Sequence, residues 1–199
     1  VIKPAATIAA FLSIKNPFRQ GLGVLDASKK LGKEYFKKDF CSDHFADVQA
    51  YVEWRRESLR GRGDELCEEQ QLSPETLDMA FMMVQQFVSF MVDAGYDGAD
   101  VGEGDYGEVD PIRKASDVDC MLRAAMVAGF MPSLCCLFHD GNKGASFLLD
   151  SNEEVSPFRQ SANANYRMAA GSHDGDEWMV FSDAMKLGRH NSIMDSTLV

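Results

Sequence analysis

Residues 121–137 read MLRAAMVAGFMPSLCCL, and the fold class turns on them. Up to Ala128 the stretch continues a helix that begins at Ser116, a residue suited to accept from the first-turn amides. Gly129 fits the position just past a helix end, where a left-handed backbone favours glycine. Beyond Met131 the helical spacing stops and short apolar runs begin. These are SLCCLF (133–138), ASFLLD (145–150), EVSPF (154–158), EWMVFSD (177–183) and NSIMDSTLV (191–199). Turn-formers such as HDGNKG (139–144) and AAGSHDGD (169–176) separate them. Five short strands in so short a segment read as a small barrel.

Working back from the same join, the chain is helical. Residues 5–14 read as a short apolar helix that Asn16-Pro17-Phe18 ends, because the residue before proline avoids the α region. Residues 24–38 read as a second helix with five lysines on its outer side. A third starts at the cap Ser42 or Asp43, with Phe45, Val48, Tyr51, Val52 and Leu59 at helical spacing. A long fourth helix starts at the cap Ser73, with Pro74 at the first position and Glu75 in the first turn. Phe81, Val84, Phe87, Val88 and Met91 are its expected buried face, and the methionines read as core. Asp97 to Asp110 carries six carboxylates, four glycines and no base, which reads as a mobile acidic loop. The fold class is therefore α+β, a helical part followed by a compact five-stranded β part.

Composition bounds the function. The 199 residues carry a formal net charge of -11, which weighs against a nucleic-acid partner. The average hides an asymmetry: residues 1–62 balance to +5, and residues 63–199 to -16. No uncharged apolar run is long enough to span a membrane. Five cysteines, an odd number with no C-x-x-C pair, read as reduced and mostly buried thiols of an intracellular protein, not as a zinc site.

Local signatures of catalysis are missing. The sequence has no G-x-x-x-x-G-K-[ST] loop and no G-x-S-x-G elbow, and its four histidines are scattered. By itself the chain is expected to catalyse nothing, and no metal site is expected. His44 reads as a capping or packing residue at a helix start.

SPFRQSANANY (Ser156 to Tyr166) stands apart, with one arginine followed by small polar residues that do not titrate near neutrality. Arg159, Gln160, Ser161, Asn163 and Asn165 are donors and acceptors suited to phosphate, sugar hydroxyl and base edges. The same residues also make Asx and Ser turns within their own backbone. The residues alone leave both readings open.

Three segments together resemble one family. TIAAFLSIKNPF (Thr7 to Phe18) resembles the end of the winged-helix region of DEAH/RHA-type RNA helicases. SDHFADVQAYVEW (Ser42 to Trp54) resembles the SDH signature of their helical, ratchet-like (helicase-associated, HA2) domain, and Met121 to Leu137 its join to an OB-like domain. In the β part, RQSAN (Arg159 to Asn163) stands where the family has an H-x-S-S-x-N-like stretch, and EWMVFSDAMKLGR (Glu177 to Arg189) resembles a family strand. The details look closest to the RNA helicase A branch. Phe158 stands where the family usually has histidine, and the acidic run Asp97 to Asp110 is outside the common pattern.

What the resemblance implies can be stated by segment. Residues 1–18 end a winged-helix region, 19–130 form the ratchet-like domain, and 131–199 form a five-stranded OB-like barrel. The implied role is the accessory C-terminal module of an ATP-dependent RNA helicase, touching single-stranded RNA and docking partners such as glycine-patch-type activators. ATP and magnesium would be bound by RecA-like motor domains elsewhere in the parent protein. Arg159, Gln160, Ser161 and Asn163, with Lys186 and Arg189 nearby, are the expected RNA-facing residues. The alternative is a protein-interaction platform that has lost RNA binding, which the acidic balance of residues 63–199 supports.

Overall fold

Serine caps start three of the helices. In the computed structural model, which describes residues 1–14, 16–18, 35–36, 40–96, 111–140, 144–149, 151, 153–166, 177–187 and 190–199, five helices are seen. They are α1 (Ile2–Ser13), α2 (Asp43–Ser58), α3 (Gly63–Glu69), α4 (Pro74–Asp93) and α5 (Asp117–Phe130). Ser42, Ser73 and Ser116 accept from the amides of Phe45, Thr76 and Asp119, three residues on. Each bond satisfies one orphan donor of the first turn, worth about 1 kcal/mol. Of the expected helix 24–38 only Tyr35 and Phe36 are described, both helical and Phe36 buried; the rest of it and the acidic run 97–110 lie outside the described residues.

Two ends differ from expectation. Gly129 is itself helical, and the chain leaves α5 at Met131 (φ -51, ψ 133). Pro132 forces that exit by excluding the α region for the residue before it, so proline and not glycine sets the boundary. The short α3 has no counterpart in the sequence reading, since seven residues carry too little periodicity to be seen. Its first residue, Gly63, sits so close to α2 that an added Cβ would lie 2.3 Å from Ser58 Oγ.

Phe45, Val48 and Tyr51 of α2, Leu77, Val84 and Val88 of α4, Phe11 of α1 and Leu122 of α5 meet in the helical core. Phe11 and Tyr51 pack edge to face, with centroids 6.3 Å apart. Along α4, Leu77, Ala80, Val84 and Val88 are buried at spacings of one helical face. The stripe is narrower than expected: Phe81, Phe87 and Met91 are half-buried, and Met79, Met82 and Phe90 are exposed. Among the described elements α4 packs chiefly against α1 and α3. The Arg55 guanidinium lies 4.4 Å over the Phe81 ring and shields it.

The strands are β1 (Leu134–Asp140), β2 (Gly144–Leu149), β3 (Glu154–Pro157), β4 (Trp178–Leu187) and β5 (His190–Leu198). Each falls on one of the five runs read from sequence. They form one curled, mixed sheet in the order β1–β2–β3–β5–β4, with β4 also pairing β1. All pairs are antiparallel except β3 with β5. Strand alternation divides the side chains. Cys135, Leu137, Phe147, Met179, Phe181 and Ile193 fill the sheet's own core, while Val180, between Met179 and Phe181, joins the helical core. The α+β organisation is thus as expected, and β4 serves both cores. Among the described residues no helix is long and apolar enough to cross a membrane.

All five cysteines are free, but only Cys67 and Cys135 are buried, fewer than the sequence reading expected, and Cys120 is exposed. Burial, and then the neighbouring Cys136, pushes the Cys135 thiol up to about 12. Its thiolate fraction at pH 8 is then roughly one part in ten thousand. Maleimide labelling of the native chain at pH 8 is expected to modify Cys120 within minutes and Cys135 only after denaturation. Early modification of Cys135, read by peptide mass spectrometry, would show that the sheet core opens.

Candidate nucleic-acid interface

After β3 the chain folds into successive turns. The amides of Ser161, Ala164 and Tyr166 donate to the carbonyls of Phe158, Ser161 and Asn163 at 2.8, 3.1 and 2.9 Å. Each bond spans three residues, the signature of a β-turn. Phe158 N–H donates to Ile193 O at 2.9 Å, so the loop leaves directly from the β3–β5 pairing.

The loop splits into an outer and an inner part. Arg159 is exposed, with its guanidinium 5.9 Å over the Phe158 ring, and Gln160 is half-exposed. Ser161 and Asn163 face inward, at 7% and 1% exposure. Ser161 Oγ donates to Asp43 Oδ2 at 2.6 Å and lies 3.1 Å from Ser196 Oγ. Asn163 Nδ2 donates to Ser196 O and Oγ, both at 3.0 Å, and Asn163 N–H donates to Ser161 Oγ at 3.0 Å. The structure thus gives these two side chains internal partners and sets them away from solvent; only the Asn163 N–H bond to Ser161 Oγ is local to the turn, and the others run to α2 and β5.

Asp43 is the centre of this arrangement. It is fully buried at the first position of α2, where the positive end of the helix dipole favours a carboxylate. Besides the Ser161 hydroxyl it accepts from Ala162 N–H at 2.7 Å and from Ser196 N–H at 2.8 Å. Its neighbours repeat the pattern on β5. Ser42 Oγ and His44 Nδ1 lie 2.6 and 2.8 Å from Thr197 Oγ1, and Leu198 N–H donates to Cys41 O at 3.0 Å. His44 is buried and stacks on Phe130 at 5.1 Å, in keeping with the packing role read from sequence. Three consecutive residues, Ser42, Asp43 and His44, therefore fasten the helical part to the sheet.

Lys186 is exposed on β4, opposite Asn191, which in turn pairs with Val155. Arg159 lies beyond the other end of β3, past the Pro157–Ile193 pair, so the fold does not bring Lys186 beside it. Arg189 lies outside the described residues. A cleft of about 360 Å³ opens near the network, lined by Ile8, Phe11, His44, Asp47, Asp183 and Asp195 among others. Its carboxylates repel phosphate, so it does not suit a nucleic-acid backbone.

Sequence reasoning missed Asp43 and Arg123 as partners of the β part. Arg123 of α5 donates to Asp119 Oδ1 at 2.6 Å, to Leu198 O, and to Phe40 O at 3.1 Å, with its guanidinium 5.0 Å over the Phe45 ring. The only signal was that both lie inside the quoted motifs, Ser42–Trp54 and Met121–Leu137. Among the described residues no group of three or more His, Cys, Asp or Glu is placed to hold a metal.

Comparison with known proteins places this geometry. No protein-family model matches the chain. It is 27% identical over 202 residues to the DExH-box ATP-dependent RNA helicase DExH3 of Arabidopsis thaliana, which covers 100% of this chain and 15% of that protein. It is 28% identical over 165 residues to DExH1 of the same plant, covering 82% of this chain and 16% of that protein. With the ATP-dependent DNA/RNA helicase DHX36 of Bos taurus it shares 33% identity over 138 residues, 67% of this chain and 13% of that protein. By shared sequence the chain is homologous to a stretch that makes up only 13% to 16% of the length of these DExH-box helicases.

Proposed function

We propose that the chain is the accessory C-terminal module of an ATP-dependent RNA helicase and contacts single-stranded RNA beside the motor. In this reading residues 1–18 end a winged-helix region, 19–130 form the ratchet-like domain and 131–199 an OB-like barrel. Arg159 and Gln160 form the RNA-facing point of the barrel, with Lys186 a separate cationic contact. Ser161 and Asn163 support the loop from within. ATP and magnesium belong to the RecA-like motor of the parent protein, and glycine-patch-type activators are the expected class of protein partner. The observation that carries the reading is that a chain homologous to helicases along its whole length holds one exposed arginine on a loop tied down from inside. A loop fixed in advance loses little entropy on binding, which suits a contact to a flexible strand.

The rival reading is a protein-interaction platform without RNA binding, favoured by the -16 balance of residues 63–199. Fluorescence anisotropy with a labelled single-stranded RNA separates the two. Binding is expected to be weak, with a log–log salt slope of about -1 to -3. Arg159→Ala is expected to weaken it by roughly 1–3 kcal/mol. The same change should alter folding stability by less than about 0.5 kcal/mol, as exposed substitutions do. No measurable RNA binding at low salt, or an affinity that ignores Arg159→Ala, would favour the platform.

A further inference from the structure

The carboxylate of Asp43 does more than join two parts of the molecule, because two of its donors sit on the loop that carries Arg159. Ser161 Oγ and Ala162 N–H bind it at 2.6 and 2.7 Å, two and three residues after Arg159. The third donor, Ser196 N–H at 2.8 Å, belongs to β5. One buried side chain at the start of α2 therefore fixes the loop against both the helix and the strand. Its other tethers, Phe158 N–H to Ile193 O, Asn163 Nδ2 to Ser196 and the Tyr166 hydroxyl to Glu177 Oε2, hold it to the β part. Only the Asp43 bonds among these relate the arginine to the helical part.

We infer that Asp43 is a positioning residue for RNA contact: it holds the 158–166 loop so that Arg159 faces the strand, and it makes RNA affinity depend on how α2 sits against the sheet. The inference rests on the proposed RNA reading of Arg159. Asp43 touches no RNA itself, since it is fully buried. Electrostatics alone predicts the opposite of positioning. Removing a negative charge strengthens attraction to phosphate, so a loss of RNA affinity in Asp43→Asn reports geometry and not charge.

The test uses the 199-residue chain, a fluorescently labelled single-stranded RNA, low salt, and a temperature at which every compared variant is folded by circular dichroism. Asp43→Asn is expected to weaken binding by roughly five- to a hundredfold, about as much as Arg159→Ala, and to make the salt slope shallower by about one. The double variant is expected to bind no more weakly than Arg159→Ala alone, because both changes remove the same contact. A folded Asp43→Asn with wild-type affinity, or a double variant whose loss is the product of the single losses, overturns the positioning role. Should Asp43→Asn fail to fold, Ser161→Ala takes its place; it removes one of the two loop bonds, and the same pattern is required of it. If Arg159→Ala binds as wild type, the RNA reading fails and the positioning role falls with it. If Arg159→Ala weakens binding and the positioning variants do not, the positioning role alone falls.

Discussion

Asp43→Ala is expected to lower the stability of the chain by about 3–5 kcal/mol. Alanine removes the acceptor for the buried Ser196 amide, the part-buried Ala162 amide and the buried Ser161 hydroxyl. An unsatisfied buried donor costs about 1–3 kcal/mol, and neighbouring losses do not simply add. The favourable placement of a carboxylate at the α2 N-terminus is lost as well. For a chain of this size the fall in Tm is on the order of 10 °C. Urea unfolding at neutral pH measures it. A loss under about 1 kcal/mol would mean that water reaches the network and satisfies the donors.

Arg123→Met is expected to cost about 3–4 kcal/mol. Methionine keeps much of the stem's packing, so the loss isolates the guanidinium. That group faces Asp119, only 3% exposed, which also accepts from Ala115 N–H at 2.7 Å. Removing the arginine leaves a buried carboxylate short of its counter-charge and strands the carbonyls of Phe40 and Leu198. Taking away both charges is a different case, because well-packed apolar replacements of an ion pair are often neutral. The double variant Arg123→Met/Asp119→Leu is therefore expected to recover part of the loss. A double variant that loses as much as the sum of the single changes would show that the pair is not coupled.

Most of the architecture was readable in the chain because its signals are local. Ser42, Ser73 and Ser116 act within three residues of themselves, so they mark helix starts wherever the helices later pack. Strand alternation is equally local, and all five runs became strands. The errors came where two local rules competed or where burial depended on neighbours. Gly129 gave way to Pro132 at the end of α5, since proline restricts its predecessor absolutely and glycine only permits a turn. Met79 and Met82 proved exposed, because burial along α4 is set by which faces meet neighbours and not by apolar character alone.

The candidate site was legible in kind but not in direction. SPFRQSANANY announced a polar loop without groups that titrate near neutrality, and its one arginine is exposed. Whether Ser161 and Asn163 look outward or inward is decided by Asp43 and Ser196, which stand 118 and 35 residues from Ser161 along the chain. Sequence alone determined the charge asymmetry, a matter of composition, and the caps and strands, because these depend on residues a few positions apart. Tertiary structure alone decided which polar groups are buried together, because a hydrogen bond between distant segments exists only once the chain has brought them within about 3 Å.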